Sequence, residues 1–132
     1  MADIDTPSRA RVLVIDDSSL VRLYYRSALE SAGFAVEQAI NGIEAMEKVL
    51  SEPFDLVLVD VNMPRMDGFT FLRSLRSRAD DVATIPALMI STESDTQDVA
   101  EARAAGANFY LVKPVAEAEL VRHVRVLAGV VP

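Results

Sequence analysis

Five side chains in this sequence could together handle a phosphoryl group. Two adjacent acids, Asp16 and Asp17, come directly after the apolar run Val12 to Ile15, and a third, Asp60, comes directly after Leu56 to Val59. A hydroxyl, Ser91, follows Ala87 to Ile90, and an ammonium, Lys113, follows Phe109 to Val112. Closely placed carboxylates cannot all stay ionised without a compensating cation, and an all-oxygen donor set with few protein ligands suits Mg²⁺. Phosphoryl transfer asks for an in-line nucleophile, a metal on the equatorial oxygens, and a cation with a hydroxyl donor for the remaining charge. Asp60 is the acid centrally placed to attack phosphorus, which would give an aspartyl phosphate. Taken singly, each residue has a plainer reading: Asp17 as a helix cap, Asp60 in a solvated turn, Lys113 as a counter-ion, Ser91 as a loop hydroxyl bonded to backbone. Their joint appearance at the ends of separate apolar runs favours the phosphoryl site.

Bringing them together requires strands whose carboxyl ends share one edge. Short apolar runs alternate with longer amphipathic stretches from end to end, without a long linker, low-complexity segment or internal repeat. Strands are expected at Val12 to Ile15, Ala35 to Gln38, Leu56 to Val59, Ala87 to Ile90 and Phe109 to Val112. Most are continuously apolar, as strands buried on both faces must be. The first helix is expected over Ser18 to Ala32, with Leu20, Leu23, Tyr24, Ala28 and Leu29 on one side and Gly33 as C-cap. The second follows the Asn41-Gly42 turn and runs to about Leu50, and the third begins at Asp67 or Gly68 and runs to about Arg78. The fourth spans Asp95 to Ala105 and ends at Gly106; the fifth runs from about Ala116 to Leu127 with the stripe Leu120, Val121, Val124 and Leu127. Parallel strands joined by helical crossovers make a three-layer α/β sandwich with its site in the crevice at the carboxyl ends of the strands.

Composition narrows the partners. At 132 residues the chain has the size of one domain, and 51% hydrophobic with 25% charged residues is globular composition. Cys is absent and His123 is the single histidine, so a thiolate or His-cluster metal site is excluded and any metal must take oxygen ligands. The net charge of -7, with no dense block among the 13 basic residues, disfavours a nucleic-acid partner and favours a protein one. Met1 to Ala10 carries no apolar leader and no apolar run approaches membrane-spanning length, so a cytoplasmic protein, without a membrane partner, is expected.

Asp16-Asp17, Asp60, the segment Asn62-Met63-Pro64-Arg65-Met66-Asp67-Gly68, Ser91 and Lys113-Pro114 resemble the receiver domain of bacterial response regulators, from Val12 to about Leu127. Val61 to Gly68 and Ala104-Ala105-Gly106-Ala107 look most like the stand-alone chemotaxis members of that family, the CheY type. The resemblance implies one receiver domain over residues 1–132, with its core at about 11–128. It implies a doubly wound, flavodoxin-like five-stranded parallel sheet of order 2-1-3-4-5 with five helices. It also implies that Asp60 takes its phosphoryl group from a histidine kinase. Asp17 and Asp60 would then bind Mg²⁺ directly, Asp16 through water, and the Asn62 backbone carbonyl would be a further ligand. Lys113 would pair with the phosphoryl oxygens, and its bond to Pro114 would be cis. Ser91 matches the family's switch hydroxyl and Tyr110 its switch aromatic. Phosphorylation would draw the hydroxyl to the phosphate and let Tyr110 rotate inward. The surface of the fourth helix, fifth strand and fifth helix would change as a result. That face would meet a flagellar motor switch protein or, in the alternative reading, a histidine phosphotransferase. Asn62 and Glu93 occupy positions that modulate self-dephosphorylation in the family and imply a short-lived phosphoryl group. Val115 departs from the family, standing where an aromatic residue is usual.

The resemblance implies a monomeric switch that phosphorylates and dephosphorylates itself and is otherwise no enzyme. A phosphohydrolase of the haloacid dehalogenase type also uses a nucleophilic Asp, a hydroxyl and a Lys, but resembles a pattern with a second Asp two residues on, where this sequence has Asn62. A binding module with a vestigial site would not need all five polar positions. On the first helix, Arg22, Tyr24 and Arg26 read either as kinase-specificity residues or as a solvated face.

Overall fold

The structure is a computed structural model; it describes residues 9–63, 65–92 and 96–130, with residue 96 described by its backbone alone. Five strands, β1 (Arg11–Ile15), β2 (Ala35–Ala39), β3 (Leu56–Asp60), β4 (Ala87–Ser91) and β5 (Phe109–Val112), alternate with five helices. The helices are α1 (Ser19–Ser31), α2 (Gly42–Ser51), α3 (Gly68–Arg76), α4 (Thr96–Ala105) and α5 (Glu117–Leu127). One turn of 3-10 helix, Asp81–Thr84, precedes β4. All strands are parallel in the order β2-β1-β3-β4-β5, as expected. The order reverses between β1 and β3, and a doubly wound sheet opens its crevice at such a reversal.

Because strand side chains alternate between faces, each central strand feeds two cores. Leu13, Ile15, Val57, Val59 and Met89 pack on one side with Ala45 and Val49 of α2, Phe71, Leu72 and Leu75 of α3, and Ala102 and Ala105 of α4. Val12, Val14, Leu56, Leu58, Leu88 and Ile90 pack on the other with Tyr25, Ala28 and Leu29 of α1 and Leu120 and Val124 of α5. β3 and β4 are buried along their whole length, whereas the edge strands β2 and β5 are partly exposed, and β2 accordingly carries the polar residues Glu37 and Gln38.

The helix ends follow from local chemistry. The Ser18, Asn41 and Asp67 side chains accept amide hydrogens three residues on and start α1, α2 and α3. Gly33 adopts φ +99 after α1, and the Phe34 amide donates back to the Leu29 carbonyl.

One expectation is overturned. Leu20 (77% exposed), Leu23 and Tyr24 lie outward, and the buried face of α1 is Tyr25, Ala28 and Leu29, with Val21 and Ala32 partly buried beside them. The two candidate stripes are one residue apart, about 100° around the helix. The match to Leu120 and Val124 of α5 selects the second.

Candidate functional site

β1 carries its ladder one residue past Ile15, because the Asp16 amide donates to the Ala39 carbonyl at 3.1 Å. That bond holds Asp16 at the sheet edge with 1% of its surface exposed. The Ser18 amide donates to Asp16 Oδ1 at 2.9 Å, while the Ser18 hydroxyl oxygen caps α1 by accepting from the Val21 amide. Asp17, between them, is exposed. Asp60 is the last residue of β3 and is buried, in register with Ile90. Ser91, the last residue of β4, is fully buried, and its carbonyl accepts the Lys113 amide at 2.7 Å. This backbone bond sets Lys113 directly after β5, so that its Nζ reaches Asp60 Oδ1 at 3.1 Å and Asp16 Oδ2 at 3.4 Å. The Lys113-Pro114 peptide is cis.

Asp16, Asp17 and Asp60 each offer an oxygen, all within 4.8 Å of one another. Burial, and then the charge of Asp16, push the Asp60 carboxyl up to about 6, although the nearby Lys113 ammonium opposes the rise. Burial alone would lower Lys113, but Asp60 and Asp16 outweigh it and hold its ammonium above the ordinary value. One ammonium therefore leaves three acids undercompensated. The donor set, carboxylate oxygens with an open side toward solvent at Asp17, fits a hard divalent cation of the Mg²⁺ kind.

Asp16, Asp17, Asp60 and Lys113 thus meet at one place, with Ser91 at the adjoining strand end. Tyr110 lies apart from the acids, half-buried on β5 in register with Met89 and packed against the core layer that holds Ala102 and Ala105. Asn62 is exposed in the loop after β3. Glu93 and Pro64 lie outside the described residues.

Three neighbours were not singled out from the sequence for this site. Gly68 passes so close to β3 that a Cβ there would stand 2.4 Å from the Asp60 carbonyl oxygen. The Tyr25 phenol is pushed up by burial, then by the charges of Asp16 and Asp60, so it stays protonated beside them. Its signal was the spacing Val21, Tyr25, Ala28, Leu29 and Ala32, which fits a helix stripe as well as the set expected. Arg22 is half-buried and donates into the loop that carries Asp16 and Asp17.

A parallel sheet with this strand order, its acids at the β1 and β3 ends and a lysine after β5, defines the receiver class. Residues 12–125 match the family model described as response regulator receiver domain, and the chain belongs to that family. It is 39% identical over 117 residues to response regulator MprA of Mycobacterium ulcerans (strain Agy99), covering 89% of this chain and 49% of that protein. It is 41% identical over 105 residues to the gliding motility regulatory protein of Myxococcus xanthus, covering 80% of this chain and 13% of that protein. The chain thus spans about half the length of the first relative and far less of the second. Among solved structures, the chemotaxis response regulator CheY4 of Vibrio cholerae superposes with a TM-score of 0.85 at 36% identity, covering 91% of this chain and 99% of that one. No helix among the described residues is long and apolar enough to cross a membrane.

Proposed function

We propose that this receiver domain is a phosphoacceptor switch in which Asp60 takes a phosphoryl group from a histidine kinase and, through Ser91 and Tyr110, alters the surface of α4, β5 and α5. The carrying observation is the Lys113 ammonium seated between Asp60 and Asp16, on the one acid that is buried, central and pushed up to about 6. Near neutral pH Asp60 is largely ionised. One of its oxygens forms the bond to phosphorus, the P–N bond to the kinase histidine breaks with its electron pair going to the imidazole, and the imidazole takes a proton from water. Lys113 then holds the charge of the phosphoryl oxygens it faces, and the Ser91 hydroxyl donates to them. Asp16, Asp17, Asp60 and the Asn62 carbonyl would hold Mg²⁺, which when bound supplies charge compensation for the acids and the incoming phosphoryl group.

The output end of the reading rests on weak burial. α4 buries chiefly Ala102 and Ala105, and removing small side chains from contact costs little. A cavity of about 130 Å³ beside Val99, Ala102 and Tyr110 leaves room for ring movement. The likeness of Val61 to Gly68 to the chemotaxis members and the 36% identity to CheY4 support a chemotaxis role with a flagellar motor partner, and a phosphorelay step is the second reading. The test is incubation with acetyl phosphate and Mg²⁺: one phosphoryl group per chain, absent in Asp60→Asn, is the expected result. Steady turnover of a phosphomonoester would instead assign a phosphohydrolase.

A further inference from the structure

Asp17, the exposed acid of the cluster, follows a carbonyl that accepts from Arg22. Asp16 is held from two sides, by the Ser18 amide and by Lys113. Asp17 has no side-chain hydrogen bond or ion pair among the described residues, so its direction is set by the backbone that carries it. That backbone is the peptide unit joining Asp16 to Asp17, whose carbonyl and amide move as one plane. Arg22 Nη1 donates to this carbonyl at 2.7 Å, and Arg22 Nε donates to Gln38 Oε1 at 3.0 Å. The backbone that carries Gln38 is fixed, because β2 pairs it with Val14 and its carbonyl accepts from Lys48. The guanidinium therefore joins β2 to the turn after β1 that carries Asp16 and Asp17.

From this geometry we infer that Arg22 is a positioning residue for divalent-cation binding. By locking the plane of the 16–17 peptide, it points the Asp17 carboxylate at the oxygens of Asp16 and Asp60. The inference rests on the reading that these acids hold Mg²⁺. It has an unusual sign. A cation so near an acidic cluster repels a second cation, so if Arg22 acted by charge alone its removal would tighten Mg²⁺ binding. If it acts by orientation, removal loosens binding, as loss of a group that orients a ligand does in metal sites generally.

Calorimetric titration of the full chain with MgCl₂ separates these cases. Arg22→Met should weaken Mg²⁺ binding about tenfold. Arg22→Lys, which keeps the charge and a donor able to reach the Asp16 carbonyl, should recover most of the loss. Gln38→Ala, which frees one side of the guanidinium, should weaken binding by a smaller factor, and it serves should Arg22→Met fold poorly. Urea unfolding without metal accompanies each titration, and the loss of affinity should exceed anything the change in folded fraction explains. Equal or tighter Mg²⁺ binding by Arg22→Met or Gln38→Ala overturns the inference while leaving the metal reading intact. Failure of the unsubstituted protein to bind Mg²⁺, with no change in Asp17→Ala, overturns the metal reading itself.

Discussion

Gly68 and the carbonyl of Asp60 are in van der Waals contact across the loop that joins β3 to α3: a Cβ at Gly68 would stand 2.4 Å from that oxygen and 3.0 Å from the Val61 Cα. The Gly68 amide also donates to the Val61 carbonyl at 2.9 Å, so the start of α3 is pinned against the strand end that presents Asp60. Both contacting atoms are backbone and cannot swing aside.

Gly68→Ala should therefore displace either α3 or the end of β3. The expected cost is about 2 kcal/mol, in the range of overpacking a tight interior. Urea denaturation measures it, and acetyl phosphate labelling should slow in the same variant because Asp60 moves. Unchanged stability and labelling would mean that the contact is slack.

Asp60→Asn should stabilise the metal-free protein near neutral pH. The carboxyl rises from 3.8 to about 6 on folding, so its favourable contribution exists below 3.8 and is lost as pH rises through 6. Above that, ionised Asp60 costs roughly 3 kcal/mol relative to its neutral form. That figure is already net of the Lys113 ion pair, and water at the open side of the cluster screens part of it, leaving about 1–2 kcal/mol at neutral pH and little below 3.8. Thermal melts of both proteins in EDTA across this range check the sign; a stabilisation that grows as pH falls would contradict it.

Lys113→Met removes the cation that restrains the rise at Asp60, so the Asp60 carboxyl should titrate above its present value of about 6. Labelling by acetyl phosphate requires the ionised acid, and its pH midpoint should move to higher pH in this variant. Labelling rates measured across pH give the midpoint directly; an unmoved or lower one refutes the coupling.

Arg76→Ala should loosen α4 at one end. The Arg76 guanidinium donates to the carbonyls of Gly106 at 2.9 and 3.1 Å, Ala83 at 2.9 Å and Ile85 at 2.6 Å, and to Asn108 Oδ1 at 3.1 Å. It joins α3 to the end of α4 and the start of β5. Its loss leaves several carbonyls short of a donor, at an expected cost of about 2–3 kcal/mol. Hydrogen exchange should rise first around residues 103–108, and protection unchanged there would show that the helix end is held by other contacts.

The elements were legible in the sequence because most strands are short apolar runs and α1, α2 and α3 each have a capping residue before them, Ser18, Asn41 and Asp67. The inner face of α1 was not. Leu20, Leu23 and Tyr24 compete with Val21 and Tyr25 for the same role, and a helix carrying apolar residues on adjacent stripes does not by itself say which one turns inward. Contact with α5, about ninety residues further along the chain, decides it.

What the sequence alone determined is that acids, hydroxyl and lysine would share one edge. In a parallel sheet every strand delivers the residue that follows it to the same side, so the positions of Asp16, Asp17, Asp60, Ser91 and Lys113 after their strands were sufficient. Only the tertiary structure decided the quantities that make the edge a site: the depth at which Asp60 is buried, the 3.1 Å reach of Lys113 Nζ to it, the closeness of Gly68, and the hold of Arg22 on the Asp16 carbonyl. Each of these depends on strand register and helix docking between segments distant in the chain. Such distances are set by packing the whole core, and no local pattern of residue types encodes them.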